Sequence, residues 1–270
     1  MTGTCAASHN QDLPLYLREA FERRSEAAGA TLARDVMATS RATAGGPTRP
    51  RSAGVSDPSA VPSPGAKRWF FDVWSSFYDL RLVQRLTYRP VHDAVVRVLR
   101  HHEPRTLLDL GCGTGLLTRR IRREFPGTSV VGCDFSHGML QQAEEHGHGN
   151  AWVQGDATRL PLREGCFDTI VSTEAFHWFP DQPAAVAECF RVLAPGGRLL
   201  VALVNPPVEP MSSAMYLGSR LLGQPFYWPT RRRMRELVET AGFQVEEQQR
   251  VYRLPAGVLL PPVLTVAVRP

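Results

Sequence analysis

Leu107-Leu108-Asp109-Leu110-Gly111-Cys112-Gly113-Thr114-Gly115 reads as a buried strand (105–110) that breaks into a glycine-rich turn and re-enters order as a helix (116–124). Glycine lets the backbone turn tightly and lets a ligand approach the main chain without meeting a Cβ. The helix behind the turn offers unpaired N–H groups and a partial positive charge. Such a loop suits a nucleoside-like ligand at the carboxyl end of a strand. The glycine spacing separates two ligand classes. The dinucleotide fingerprint is G-x-G-x-x-G, with its last glycine inside the first helical turn. Here the spacing is G-x-G-x-G, and Leu116 stands where that last glycine would be. Asp109, two residues before the first glycine, would repel a pyrophosphate but would suit a ligand bearing an ammonium group. A glycine loop alone is a weak signal, because a bare strand–helix turn can look the same.

Outward from this loop, strand and helix signals alternate. Strands are expected at 129–133, 151–154, 167–172 and 198–204, with helices at 137–146 and 183–193, the latter ended by Pro195-Gly196-Gly197. A further helix at 230–241 has Thr230 as N-cap and Gly242 just past its end. Two final strands, 243–253 and 263–268, are close enough to form a hairpin. The pattern predicts an α/β fold: a Rossmann-like, doubly wound, mainly parallel sheet of about seven strands, helices on both faces, and a C-terminal antiparallel hairpin.

Upstream, 90–100 reads as a helix with Pro90 in its first turn and a buried stripe of Val91, Ala94, Val95 and Val98. An aromatic helix begins at Trp69. Residues 39–66, rich in Gly, Pro, Ser, Thr and Ala, read as a disordered linker, and 12–38 as an amphipathic helix within an N-terminal 1–38 segment. The ordered domain is therefore expected over 67–270, with 67–103 as a helical cap. Residues 206–229 join strand and helix by a long stretch carrying Met211, Met215, Tyr216, Leu217, Phe226, Tyr227 and Trp228. Long connections are usually functional, so a substrate lid for an apolar or aromatic molecule is expected there; the competing reading is a buried accessory helix.

Two more carboxylates stand at strand ends. Asp134, about 20 residues after the loop, can accept from both hydroxyls of a ribose; a capping role is the alternative, but Ser136 is the better cap. Asp156, in Gly155-Asp156-Ala157, can accept from an exocyclic amine such as that of adenine, or be an ordinary loop residue. Acids at the ends of three consecutive strands are a stronger signal than any one alone.

The order LLDLGCGTG, VGCDFSHGML, GDATRLPL, FDTIVSTEAFHWFPD and ECFRVLAPGGRLLV resembles the type-11 methyltransferase family, within the class I S-adenosylmethionine-dependent methyltransferases. The likeness runs from about Leu107 to Val201 and more loosely from Trp69 onward. It implies a glycine loop (Gly111, Cys112, Gly113, Gly115) around the methionine portion of S-adenosylmethionine, with Asp109 near its ammonium group. It implies Asp134 at the ribose, Met139, Asp156 and Ala157 at the adenine, and Ser172 and Thr173 beneath the methyl donor. His177 is a candidate general base, the competing reading being that His177 and Trp178 wall the pocket. Tyr78, in Ser76-Phe77-Tyr78-Asp79, matches a Tyr-Asp pair that lies near the active site in the family.

Methyl transfer from a sulfonium is an in-line displacement, so positioning and water exclusion are the protein's main tasks, worth about 7–11 kcal/mol. The expected acceptor is a small, apolar or aromatic molecule. Asn205-Pro206-Pro207 looks like the motif of methyltransferases acting on planar nitrogens, but it follows the wrong strand and Val208 replaces the aromatic residue. Five cysteines with no C-x-x-C pair argue against a disulfide framework or a zinc site, and for a cytoplasmic setting. His146-Gly147-His148 reads as a solvated turn, so no metal is expected. The net charge of +5 comes from scattered residues, which argues against nucleic acid and an RNA methyltransferase. No apolar run reaches the roughly 18 residues of a membrane span, and the first ten residues lack a secretory pattern. The N-terminal helix could make at most weak membrane-surface contact. Rival readings are a nicotinamide-dependent oxidoreductase and a catalytically inactive binding or regulatory protein. The sequence carries no signal of oligomeric state.

Overall fold

The computed structural model describes residues 88–147, 151–221, 226–251 and 261–270. The expected N-terminal helices, the linker and Tyr78 lie outside these residues. The chain runs α1 (Arg89–His102), β1 (Thr106–Leu110), α2 (Leu116–Glu124), β2 (Ser129–Asp134), α3 (His137–His146), β3 (Ala151–Gln154), β4 (Phe167–Thr173), a 3-10 turn (Phe176–Trp178), α4 (Gln182–Val192), β5 (Leu193–Val204), α5 (Glu209–Leu221), α6 (Arg231–Thr240), β6 (Gln244–Arg250) and β7 (Pro262–Val268).

The strands form one sheet in the order β3-β2-β1-β4-β5-β7-β6. The first five are parallel to their neighbours, and β7 is antiparallel to both β5 and β6. The strand order reverses beside β1, whose neighbours are β2 and β4. Connections leave that point toward opposite faces, which opens a crevice beyond the carboxyl ends of β1 and β4.

Strand side chains alternate between faces, and β1 shows the consequence. Leu108 and Leu110 join one core with Val131, Cys133, Ile170, and Val186 of α4 and Val238 of α6. Leu107 joins the other, with Val91, Val95 and Leu99 of α1 and Leu117 and Ile121 of α2. Asp109 shares the face of Leu107, so its carboxylate is directed toward the layer of α1 and α2. Val91, Val95 and Leu99 are fully buried; each such burial contributes about 1.5–3 kcal/mol.

Three expectations need correction. The buried face of α1 holds His92, Val96 and Leu99 besides Val91, Ala94 and Val95, while Val98 is only partly buried. The helix crosses β4, β5 and β7, and so buries a broader arc than one stripe. β5 begins at Leu193, because Leu193 pairs with Phe167 and Gly196 N–H donates to the Arg269 carbonyl at 2.7 Å. The Pro-Gly-Gly turn is thereby drawn into the strand. Third, most of 206–229 is not loop but α5. Pro210 falls in its first turn, where proline is tolerated. Ser212 Oγ donates to the Trp228 carbonyl at 2.5 Å and Ser219 Oγ accepts from Phe226 N–H at 3.1 Å, folding 226–229 back along the helix. Leu217 and Leu221 remain 58% and 83% exposed, so α5 is not the buried accessory helix either.

Candidate functional site

The loop between β1 and α2 turns through three left-handed glycines, with φ of +73° at Gly111, +55° at Gly113 and +74° at Gly115. The Gly111 and Cys112 N–H groups both donate to the Cys133 carbonyl, at 2.7 and 3.1 Å, which fastens the loop to β2. A Cβ on Gly111 would lie 2.3 Å from the Ala175 Cβ, and one on Gly115 2.3 Å from the Trp152 ring. Glycine is therefore required twice for packing: once against the segment after β4, once against β3. At Gly113 a Cβ would meet no atom within 4 Å. Gly113 lines a cavity shared with Asp109, Gly111, Cys112, Thr173 and, from the α1 side, Tyr88 and His92.

Asp109 is 1% exposed. Thr118 Oγ1, on α2, donates to its Oδ2 at 2.6 Å. Burial pushes its carboxyl up to about 7, the nearby Asp134 adds to the rise, and the Thr118 hydrogen bond opposes it. Asp134 ends β2. Its Oδ2 accepts from Gly113 N–H at 2.8 Å and its Oδ1 from Ser136 N–H at 2.9 Å. Burial raises this carboxyl too, against those hydrogen bonds. The Phe135 backbone N–H also faces the carboxylate; with about four acceptor positions on its two oxygens, the group keeps acceptor capacity for a hydroxyl donor. Ser136 caps α3 as expected, its Oγ accepting from Met139 N–H at 3.3 Å.

Met139 and Ala157 are buried, and Asp156 is exposed, its Oδ1 accepting from both the N–H and the hydroxyl of Thr158 at 2.8 Å. None of the three lines the cavity with Asp109. The loop after Asp156 is pinned to α4: Leu160 N–H donates to Glu188 at 2.7 Å, and Arg191 donates to the Leu160 and Leu162 carbonyls. At the end of β4, Ser172 is 1% exposed with its hydroxyl unpartnered, and Thr173 faces the cavity. Glu174 follows with φ +53°, a backbone strain that clusters at functional sites.

His177 belongs to a different environment. Its ring stacks on Trp228 at 4.9 Å and 18°, and Trp178 and Phe226 crowd it at 5.1 and 6.0 Å. Burial pushes its pKa down to about 3. The ring is neutral but weakly basic, and it does not line the glycine-loop cavity. Sequence reasoning missed Tyr88, His92, Thr118 and Trp152. The one visible signal was His92, a polar residue between the apolar positions Val91 and Val95 of an amphipathic helix. Among the described residues, no cluster of His, Cys, Asp and Glu could hold a metal ion, and no helix is long and apolar enough to cross a membrane.

The family comparison matches this same frame. Residues 108–201, from β1 to β5, match the family model described as "Methyltransferase domain". This segment is a methyltransferase domain. A demethylmenaquinone methyltransferase of Thermus thermophilus is 38% identical over 117 residues, covering 42% of this chain and 53% of that protein. A malonyl-[acyl-carrier protein] O-methyltransferase of Hahella chejuensis is 35% identical over 133 residues, covering 48% and 46%. The chain thus spans about half the length of the curated relatives it matches. The fold matches that of Burkholderia thailandensis 1,6-didemethyltoxoflavin-N1-methyltransferase, solved with S-adenosylhomocysteine, at a TM-score of 0.59 and 24% identity, over 80% of this chain and 94% of that one. The expected Rossmann-like methyltransferase fold is borne out, and the glycine loop lies at the start of the matched segment.

Proposed function

We propose that this chain moves a methyl group from S-adenosylmethionine to a small apolar or aromatic acceptor. The observation that carries the reading is the cradle itself: an open glycine position at Gly113, a buried carboxylate at Asp109, and Asp134 bonded to the loop through Oδ2 and to Ser136 N–H through Oδ1. The unpartnered, buried Thr114 hydroxyl at the same loop fits a polar ligand too. In this reading Asp109 receives the ammonium group, Asp134 the ribose hydroxyls, and Met139 with the 156–157 turn the adenine. Gly111, Cys112, Gly113 and Gly115 let the methionine portion approach the backbone. When bound, the cofactor supplies an already activated methyl group.

The protein's share of the chemistry is alignment and exclusion of water. Ser172 and Thr173 form the floor beneath the reacting atoms. His177, buried among aromatic rings, acts as a wall rather than a base, since a group of such low basicity takes little proton at neutral pH. The acceptor enters over α5, which carries the exposed apolar side chains Met211, Tyr216 and Leu217 after the end of β5. The names of the similar proteins include a demethylmenaquinone, an O- and an N-methyltransferase, and α5 is what favours an apolar or aromatic acceptor. A nicotinamide cofactor is disfavoured by the glycine spacing and by the buried Asp109.

Calorimetric titration with S-adenosylmethionine and NADH tests the cofactor. Micromolar binding of the first alone, weakened by Asp134→Ala, is the expected result. Isotope-labelled methyl transfer to a panel of quinones, phenols and amines then tests the acceptor. A folded chain that binds no S-adenosylmethionine would overturn the proposal.

A further inference from the structure

We propose that His92 is a cofactor-binding residue, its imidazole donating a hydrogen bond to the carboxylate of the cofactor's amino-acid end while Asp109 faces the ammonium. The inference rests on the methyltransferase reading and deepens it. His92 lies on α1, before the segment that matches the family, so the contribution belongs to this chain's own preceding helix.

An α-amino acid is a zwitterion, and its pocket must supply an anion for one group and a donor for the other. The strand alternation of β1 sends Asp109 toward α1 and α2, and the two residues that meet the cavity from α1 and its N-cap are His92 and Tyr88. His92 is 9% exposed, held between the fully buried Val91 and Val95, with the Tyr88 ring 6.4 Å away. No described residue hydrogen-bonds its ring. The charged groups around it are already committed: Arg120 of α2 is bridged to Asp93 at 2.6 Å and Glu124 at 2.8 Å, and Asp109 of β1 is bonded to Thr118. Burial, then the Arg120 charge, hold the imidazole well below its usual range, at about 4, with Asp93 opposing. The neutral ring therefore offers one N–H donor and one acceptor. A neutral polar group facing a ligand cavity from an otherwise apolar helix face costs stability unless it is hydrogen-bonded. A carboxylate from the cofactor would supply that bond.

The test is a two-by-two comparison by calorimetry on the full chain. Wild type and His92→Leu are each titrated with S-adenosylhomocysteine and with its decarboxylated analogue, which keeps the amine and the nucleoside. Wild type is expected to bind the decarboxylated compound about tenfold more weakly, the scale of a lost hydrogen bond to a charged group. His92→Leu should bind both compounds alike, at the weaker level. His92→Gln, which keeps an N–H donor, should recover part of the difference and provides a second variant if leucine impairs folding. Equal wild-type affinity for the two compounds would overturn the proposal, as would a preference left intact in both variants. Wild type that binds neither compound would instead overturn the underlying methyltransferase reading.

Discussion

The backbone N–H of Gly113 donates to the Asp134 carboxylate at 2.8 Å, so the glycine loop is tied to the end of β2. The proposed ribose acceptor therefore also holds the loop in shape. Asp134→Ala should strip the partner from both Gly113 and Ser136 N–H groups. A loss of about 1–3 kcal/mol in stability is expected, read by urea unfolding. S-adenosylhomocysteine affinity should fall at least about tenfold, and Asp134→Asn, which keeps one acceptor oxygen, should lose less of both.

Gly111 and Gly113 should fail in different ways. Gly111→Ala drives a Cβ to within 2.3 Å of the Ala175 Cβ at φ +73°; combined strain and overpacking should cost about 2–4 kcal/mol. Gly113→Ala meets no protein atom within 4 Å and should cost only the left-handed backbone penalty of about 1–2 kcal/mol. Its added methyl should nonetheless weaken cofactor binding. Unfolding curves paired with calorimetry on both variants would distinguish packing glycine from ligand glycine.

Buried Asp109 makes a signed contribution to the pH dependence of stability. Its carboxyl is pushed up to about 7 from 3.8, so between those values the folded chain keeps a proton that the unfolded chain releases. Its stabilisation is complete below pH about 4 and is lost as pH rises through 7. His92 and His177 act oppositely: held at about 4 and about 3, they favour the folded state near neutrality and oppose it as pH falls below their ordinary 6.5. Against wild type, Asp109→Asn should therefore show a stability that rises more with pH, by about 1.4 kcal/mol per unit within the pH 4–7 window. Parallel pH profiles for the two proteins would contradict the buried-acid assignment.

The stack of Trp228 on His177 joins the α5 hairpin to the end of β4. Trp228→Ala should open a cavity and loosen that joint, at a cost of about 3–5 kcal/mol if the site cannot collapse. Cofactor affinity should change little, since neither ring lines the glycine-loop cavity, while the KM for the acceptor should rise or turnover fall. Equal loss of cofactor and acceptor binding would argue against α5 as an acceptor lid.

Much of this molecule is written locally. An apolar run followed by G-x-G-x-G produces a strand, a turn and a helix because glycine alone relieves the left-handed backbone there, and Ser136, Asp181 and Thr230 start helices because each oxygen accepts a nearby backbone N–H. Alternating strands and helices then demand a parallel sheet with both faces covered. The tertiary structure decided what depends on partners distant in sequence. Arg269 draws the 193–197 turn into β5, and the serines of α5 find the Phe226 N–H and the Trp228 carbonyl. Burial turns Asp109 into a group that titrates near neutrality and His177 into one that does not. That His92 and Asp109 line one cavity has the same origin: α1 lands on the face that strand alternation assigns to Asp109, and only the packed sheet brings that helix there.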